Sequence, residues 1–260
     1  GLSRPASPSY QQALMSAAAR AEPNESPKPT ALSETVEIVK TVVYALAIAL
    51  FLRVLFFQPF TIPSESMEPA LLRGDYIIVS KWAYGYSRHS IPFSPALFRG
   101  RLFGHAPERG DIIVFKLPRD PVNTDYVKRV IGLPGDRIQV KGGILHINGQ
   151  AVQRRRIEDF IDTESGRELR IPQYIEILPN GREHRILEVT DNGSLDDTGV
   201  YVVPPGHYFA MGDNRDNSLD SRVQSAVGFV PAENLVGRAE VIFYSTNGSA
   251  ALWEVWKWPL

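Results

Sequence analysis

The sequence predicts a mainly β protein, with antiparallel sheets forming a barrel-like or sandwich domain preceded by one transmembrane α-helix. Three observations carry this expectation. One uncharged apolar stretch, TVVYALAIALFL (Thr41 to Leu52), is extended beyond Arg53 by VLFF up to Phe57. After it, apolar residues fall in short β-rich runs bounded by turn residues, with no helical period and no internal repeat. Asn-Gly pairs at Asn148–Gly149 and Asn180–Gly181 separate such runs, and this dipeptide accepts the positive φ angles of a tight hairpin turn.

In chain order, residues 1–35 are rich in Ala, Ser, Pro and Glu and have few large apolar side chains, so they are expected to form a flexible tail. Residues 36–57 are expected to form the membrane anchor, about 33 Å long as a helix, with Lys40 and Arg53 toward its ends where cationic side chains can snorkel. A buried core helix or a cleaved leader would share the apolar stretch. The apolar residues cover every face, however, and the following FQPFTIP lacks the small residues of a cleavage site. Residues 58–260 are expected to form the β domain. Its clearest strands are YIIVS (Tyr76 to Ser80), DIIVFK (Asp111 to Lys116) and RAEVIFY (Arg238 to Tyr244). An aromatic, Gly/Pro-rich excursion occupies 82–109, and 150–205 is a less typical β region.

Composition excludes several classes of function. The 28 Lys and Arg balance 29 Asp and Glu, which leaves no electrostatic footprint for nucleic acid. The absence of cysteine removes thiol catalysis, thiolate metal sites and disulfides. The acidic segment GDNRDNSLDSR (Gly212 to Arg222) fails as a calcium loop, because Ser218 stands where a glycine is required and Gln224 where a glutamate is required. No cofactor or metal is expected.

The candidate chemistry begins at TIPSESMEP (Thr61 to Pro69), where Pro63 and Pro69 stiffen a turn holding Ser64 and Ser66. Two hydroxyls on a rigid turn suit a nucleophile and an oxyanion donor. The 5 histidines are scattered without a triad pattern, and neither G-x-S-x-G nor S-x-x-K occurs. That leaves a lysine as the candidate base. In DYVKRVIGLPGD (Asp125 to Asp136), strand alternation puts Lys128 on one face with Tyr126 and Val130, and Arg129 on the other. A buried ammonium loses solvation, so its pKa falls toward neutrality, whereas an edge-strand lysine stays solvated and charged. Asp220 and Arg222, with Ser218 in the same segment, suit a paired scaffold holding a hydroxyl against a buried amine.

Taken together and in this order, PSESMEP, GDYIIVSK (Gly74 to Lys81), DYVKRVIGLPGD and GDNRDNSLDSR resemble the motifs of bacterial type I signal peptidase (leader peptidase), from the anchor to about residue 245. The resemblance implies that Ser66 is the nucleophile and Lys128 the general base. It further implies that the Ser64 hydroxyl joins the Ser66 N–H in an oxyanion hole, that Ser218 orients the lysine, and that Asp220 and Arg222 form a supporting ion pair. Two positions depart from the pattern: Glu65 stands where glycine is frequent, and Ala70 where threonine is. The implied reaction is endoproteolysis of secretory preproteins after small residues at −1 and −3. The implied setting is a bacterial inner membrane, with the N-terminus cytoplasmic, the catalytic domain on the exported side, and lipid as a further partner. A Ser/Lys peptidase with another substrate, or a non-catalytic membrane-tethered β-domain binding exported segments, are the competing readings.

Overall fold

Pro59 cannot continue a helix, and close to it the chain changes character. The computed structural model describes residues 31–91, 94–95, 100–163 and 168–245. Most of the expected tail lies outside them. Helix α1 spans Ala31–Leu55. It therefore starts before and stops short of the expected anchor, and Phe57 already belongs to a strand. Within α1, Glu34–Arg53 has a mean hydropathy of 2.0 and no buried face, and it is long and apolar enough to cross a membrane.

The strands follow in the order β1 (Phe57–Thr61), β2 (Asp75–Ser80), β3 (Ile112–Lys116), β4 (Asp125–Gly132), β5 (Arg137–Lys141), β6 (Ile144–Ile147), β7 (Gln150–Ala151) and β8 (Gln153–Arg156). They continue with β9 (Phe160–Asp162), β10 (Leu169–Ile171), β11 (Gln173–Ile177), β12 (Glu183–Leu187), β13 (Tyr201–Val202), β14 (His207–Met211), β15 (Val230–Pro231) and β16 (Leu235–Ser245). Seven form one sheet in the order β1-β2-β16-β3-β4-β14-β15, antiparallel throughout. This sheet curls into a half-barrel. Register shifts in β16 and β14 supply local twist for that curl. Pro59 is tolerated because β1 is the edge strand, where a missing N–H leaves no partner unpaired.

The smaller sheets are β13-β5-β6-β7, β12-β11-β8 and β10-β9. Both expected Asn-Gly turns are present: Asn148–Gly149 joins β6 to β7, with φ of 54° and 84°, and Asn180–Gly181 lies between β11 and β12. The described part of the 82–109 excursion holds two 3-10 turns, Trp82–Tyr84 and Arg88–Ser90. Arg101 pins it to the start of β16 by donating to the carbonyls of Tyr84, Gly85, Ala232 and Leu235 at 2.6–2.9 Å.

Three buried apolar clusters hold the sheets. One joins β4 and β14 to β5 and β6 through Ile131, Ile138, Leu145 and Phe209. A second packs Tyr84, Phe115, Val130 and Val230. The third, comprising Ile62, Met67, Leu71, Ile77, Val79, Val114 and Val236, lies under the turn that carries the two candidate serines. Met67 is 1% exposed, so the turn is anchored by the residue next to Ser66.

Candidate active site

The chain leaves β1 through Ile62 and Pro63 and tightens into a 3-10 turn, Glu65–Met67, which holds Ser66. With Ile62 and Met67 sunk into the core on either side, the serine hydroxyls are presented from a fixed backbone. Ser64 Oγ and Ser66 Oγ lie 3.3 Å apart. Asn214 N–H donates to the Ser66 carbonyl at 3.2 Å, and Asn217 Nδ2 donates to Glu65 Oε2 at 3.0 Å. The departure at Glu65 therefore has a local use, because its carboxylate ties the serine turn to the 212–222 loop.

Strand β4 brings Lys128 to this turn. Its Nζ lies 2.6 Å from Ser66 Oγ and 3.0 Å from the Val127 carbonyl, and it stands over the Tyr126 ring at 5.4 Å. Lys128 is 3% exposed. Burial pushes its pKa down from 10.5 to about 8; Asp220 and Asp213 oppose that shift and Arg222 adds to it. A sizeable fraction of the amine is therefore neutral at mildly alkaline pH. As an ammonium it donates to Ser66 Oγ; as a neutral amine it accepts the serine proton across the same contact.

Arg129, on the other face of β4, is buried as well. Its guanidinium grips Asp213 in a two-bond fork, Nε to Oδ1 at 2.8 Å and Nη2 to Oδ2 at 2.6 Å, and Nη1 donates to the Gly110 carbonyl at 2.8 Å. Asp220 and Arg222 form a second fork, with Nε to Oδ1 and Nη2 to Oδ2 both at 2.9 Å. Burial pushes the Asp220 carboxyl up, but Arg222 and the N–H groups of Gly212 and Arg222 outweigh it and hold the group below the usual carboxylate range. Arg215 forms a third fork with Glu176 at 3.0 and 2.5 Å.

The structure brings Ser64, Ser66, Lys128 and Ser218 to one groove of about 810 Å³. Asp220 and Arg222 stand behind it. Ser218 Oγ is buried with no hydrogen-bond partner among the described residues, so no direct bond joins it to Lys128. Sequence reasoning missed Gly212, Asp213 and Arg215. Gly212 lies so close to the serine turn that a Cβ there would collide with Ser218 Oγ and with the Ser66 carbonyl oxygen. The Asp213–Arg129 fork left no signal in the alternation of β4, which puts Arg129 on the face opposite Lys128, where a charged side chain reads as solvated; the structure buries both.

A contacting hydroxyl and amine of lowered pKa, set on a β scaffold beside a groove, is an arrangement able to support serine peptidase chemistry with lysine in place of histidine. Comparison with known proteins agrees. The family model described as signal peptidase, peptidase S26, matches residues 35–244, and the chain belongs to that family of serine endopeptidases, which remove signal peptides from preproteins. Signal peptidase I of Rickettsia typhi is 43% identical over 212 residues, 78% of each chain. That of Rickettsia massiliae is 43% identical over 213 residues, 79% of this chain and 78% of the relative. A crystal structure of a signal peptidase I from Enterococcus faecalis aligns at 30% identity with a TM-score of 0.31, covering 52% of this chain and 98% of that one. At that score the assignment rests on the sequence matches.

Proposed function

We propose that Ser66 is the nucleophile and Lys128 the general base of the signal-peptide cleavage reaction. The 2.6 Å contact between Ser66 Oγ and a buried Lys128 Nζ carries this reading. Neutral Lys128 takes the Ser66 proton as Oγ adds to the scissile carbonyl. The oxyanion so formed is met by the Ser64 hydroxyl and the Ser66 N–H. Lys128 then returns the proton to the departing amine of the mature protein, leaving an acyl-enzyme on Ser66. Water gives a proton to the same amine, attacks the ester and releases the signal peptide, and the serine recovers its proton from Lys128. Ser218 acts as the hydroxyl beside the lysine, and the Asp220–Arg222 fork fixes the loop that carries it.

The groove supports the substrate reading. Its lining includes Phe60, Ile62, Met67, Val127, Leu195 and Leu219, which suits small apolar side chains at −1 and −3. β14 pairs with β4 only as far as Met211 opposite Arg129, so Asp125 to Lys128 keeps one edge free for an extended chain to join. The domain reading is an anchor in α1 and a catalytic β domain from residue 58. With the N-terminus cytoplasmic, the β domain works on the exported face of the bilayer, against lipid, where the substrate is tethered too. Lys28 and Lys40 before the apolar stretch support this orientation.

The test is cleavage of a labelled preprotein by Ser66→Ala and Lys128→Ala. Both lose cleavage while keeping a cooperative unfolding transition; full activity in either sinks the assignment. Protease digestion of the β domain in intact spheroplasts tests the sidedness.

A further inference from the structure

A second cavity, of about 440 Å³, lies next to the substrate groove, and Arg53, Gln58, His89, Lys116, Asn123 and Asp125 are among its lining residues. Asp125 lines both spaces, so the start of β4 forms the wall between them. The new cavity is rich in donors: a guanidinium, an ammonium and two carboxamides converge on it, and the only carboxylate among those six is Asp125, which pairs with Lys116 at 2.9 Å. Arg53 is exposed and has neither a hydrogen bond nor an ion pair with any described residue. It is thus a cation facing a cavity with no partner among the described residues.

Two buried neighbours register the positive field. Lys81, 1% exposed, donates from Nζ to the Ser90 carbonyl at 2.5 Å. Its pKa is pushed down to about 8, by burial first, then by Arg53 and Lys116, with Asp125 opposing. His89 is pushed down to about 4 by burial, then by Arg88, Lys116 and Arg101, with Glu233 opposing. The nearby acids do not cancel the surplus of positive charge at either group.

The position of Arg53 identifies the kind of anion. It is the last residue of the apolar stretch Glu34–Arg53, so the cavity opens where hydrocarbon gives way to headgroups once α1 crosses the bilayer. Guanidinium and ammonium match phosphate oxygens, and the amides of Gln58 and Asn123 suit the ester oxygens and hydroxyls of a headgroup. The volume takes a headgroup and excludes a whole lipid. We propose that this cavity binds the phosphodiester headgroup of an anionic phospholipid, with Arg53 and Lys116 as its cationic ligands. The site rests on the bilayer placement of α1 given above and is independent of the Ser66/Lys128 chemistry. It puts a lipid contact one strand end away from the groove in which the preprotein lies.

The experiment uses the full chain in phosphatidylcholine nanodiscs containing a minor fraction of phosphatidylglycerol, and native mass spectrometry counts the phosphatidylglycerol retained. Enrichment over the bulk lipid is expected in the natural protein, reduced about fivefold by Arg53→Gln and by Lys116→Gln. Lys116→Arg, which keeps the charge, retains the enrichment, as does Arg137→Gln, which removes an exposed arginine outside the cavity. Equal enrichment in the natural protein and both cavity variants overturns the site, and so does an equal loss in Arg137→Gln, which would report diffuse surface charge. Millimolar inorganic phosphate that fully displaces the lipid would overturn the lipid assignment in favour of a free anion. Flotation with pure phosphatidylcholine vesicles separates the two levels. A chain that fails to float removes the bilayer placement together with the site; one that floats without enrichment removes the site alone.

Discussion

Replacing Lys128 by methionine, of similar length and without charge, should reverse the order of stability between the two proteins as pH rises. In the folded chain Lys128 has a pKa near 8, against 10.5 when solvated, because burial disfavours its ammonium form. Below pH 8 the folded state must keep a proton it holds poorly, and this costs about 3 kcal/mol at about 1.4 kcal/mol per unit. The unfolded state binds the extra proton between pH 8 and 10.5, so stability of the natural protein rises through that window, and at pH 10 the penalty is under about 1 kcal/mol. Methionine has no such penalty but forfeits the bonds to Ser66 Oγ and the Val127 carbonyl, about 1 kcal/mol each. The variant should therefore be more stable by about 1 kcal/mol at pH 6 and less stable by about 1 kcal/mol at pH 10. Urea unfolding of both full-length proteins in the same detergent, followed by tryptophan fluorescence at several pH values, measures the difference, in which the other titrating groups cancel. A difference that stays constant from pH 6 to 10 would refute the reasoning, since Lys128 would then keep its proton in the folded state.

Activity should follow the same group. The logarithm of kcat/KM is expected to rise with unit slope below about pH 8 and level off above it, and a flat profile from pH 6 to 9 would exclude Lys128 as a titrating base. Asp213→Asn removes the counter-charge of buried Arg129 and should cost about 3–5 kcal/mol, read as a fall in Tm; an unchanged Tm would mean that the fork contributes nothing to stability. Gly212→Ala forces a methyl group against Ser218 Oγ and the Ser66 carbonyl, so kcat should fall by at least about tenfold, with the loss in kcat exceeding any rise in KM. Activity equal to that of the natural protein would mean that the serine turn yields freely.

Much of the fold was legible because its signals are local. Asn-Gly dipeptides, β-branched runs and an uncharged apolar stretch each encode their own geometry, and the corresponding turns, strands and helix are present. The edge strand β1 was hidden, because FQPFT follows directly on the apolar stretch and reads as its continuation. Alternation in β4 pointed Lys128 inward, but no local rule states that a residue 62 positions earlier lies against it; only the order of the four motifs carried that. The Arg215–Glu176 and Arg129–Asp213 forks were illegible for the same reason, since each joins residues far apart in sequence and a charged residue in a strand ordinarily faces solvent. Gly212 was invisible because the constraint on it comes from atoms of two other segments.

The place of β16 in the main sheet has a consequence for the timing of synthesis. β2, which follows the Ser66 turn, and β3, which pairs with the strand bearing Lys128, do not pair with each other; β16 lies between them. The two halves of the sheet are thus zipped together by residues 235–245, made after every residue of the site. A nascent chain has Ser66 and Lys128 long before it has the strand that joins the two halves of the sheet, so it is expected to emerge without activity. A chain cut short before residue 235 lacks the same strand, and its failure to cleave a preprotein is the expected result.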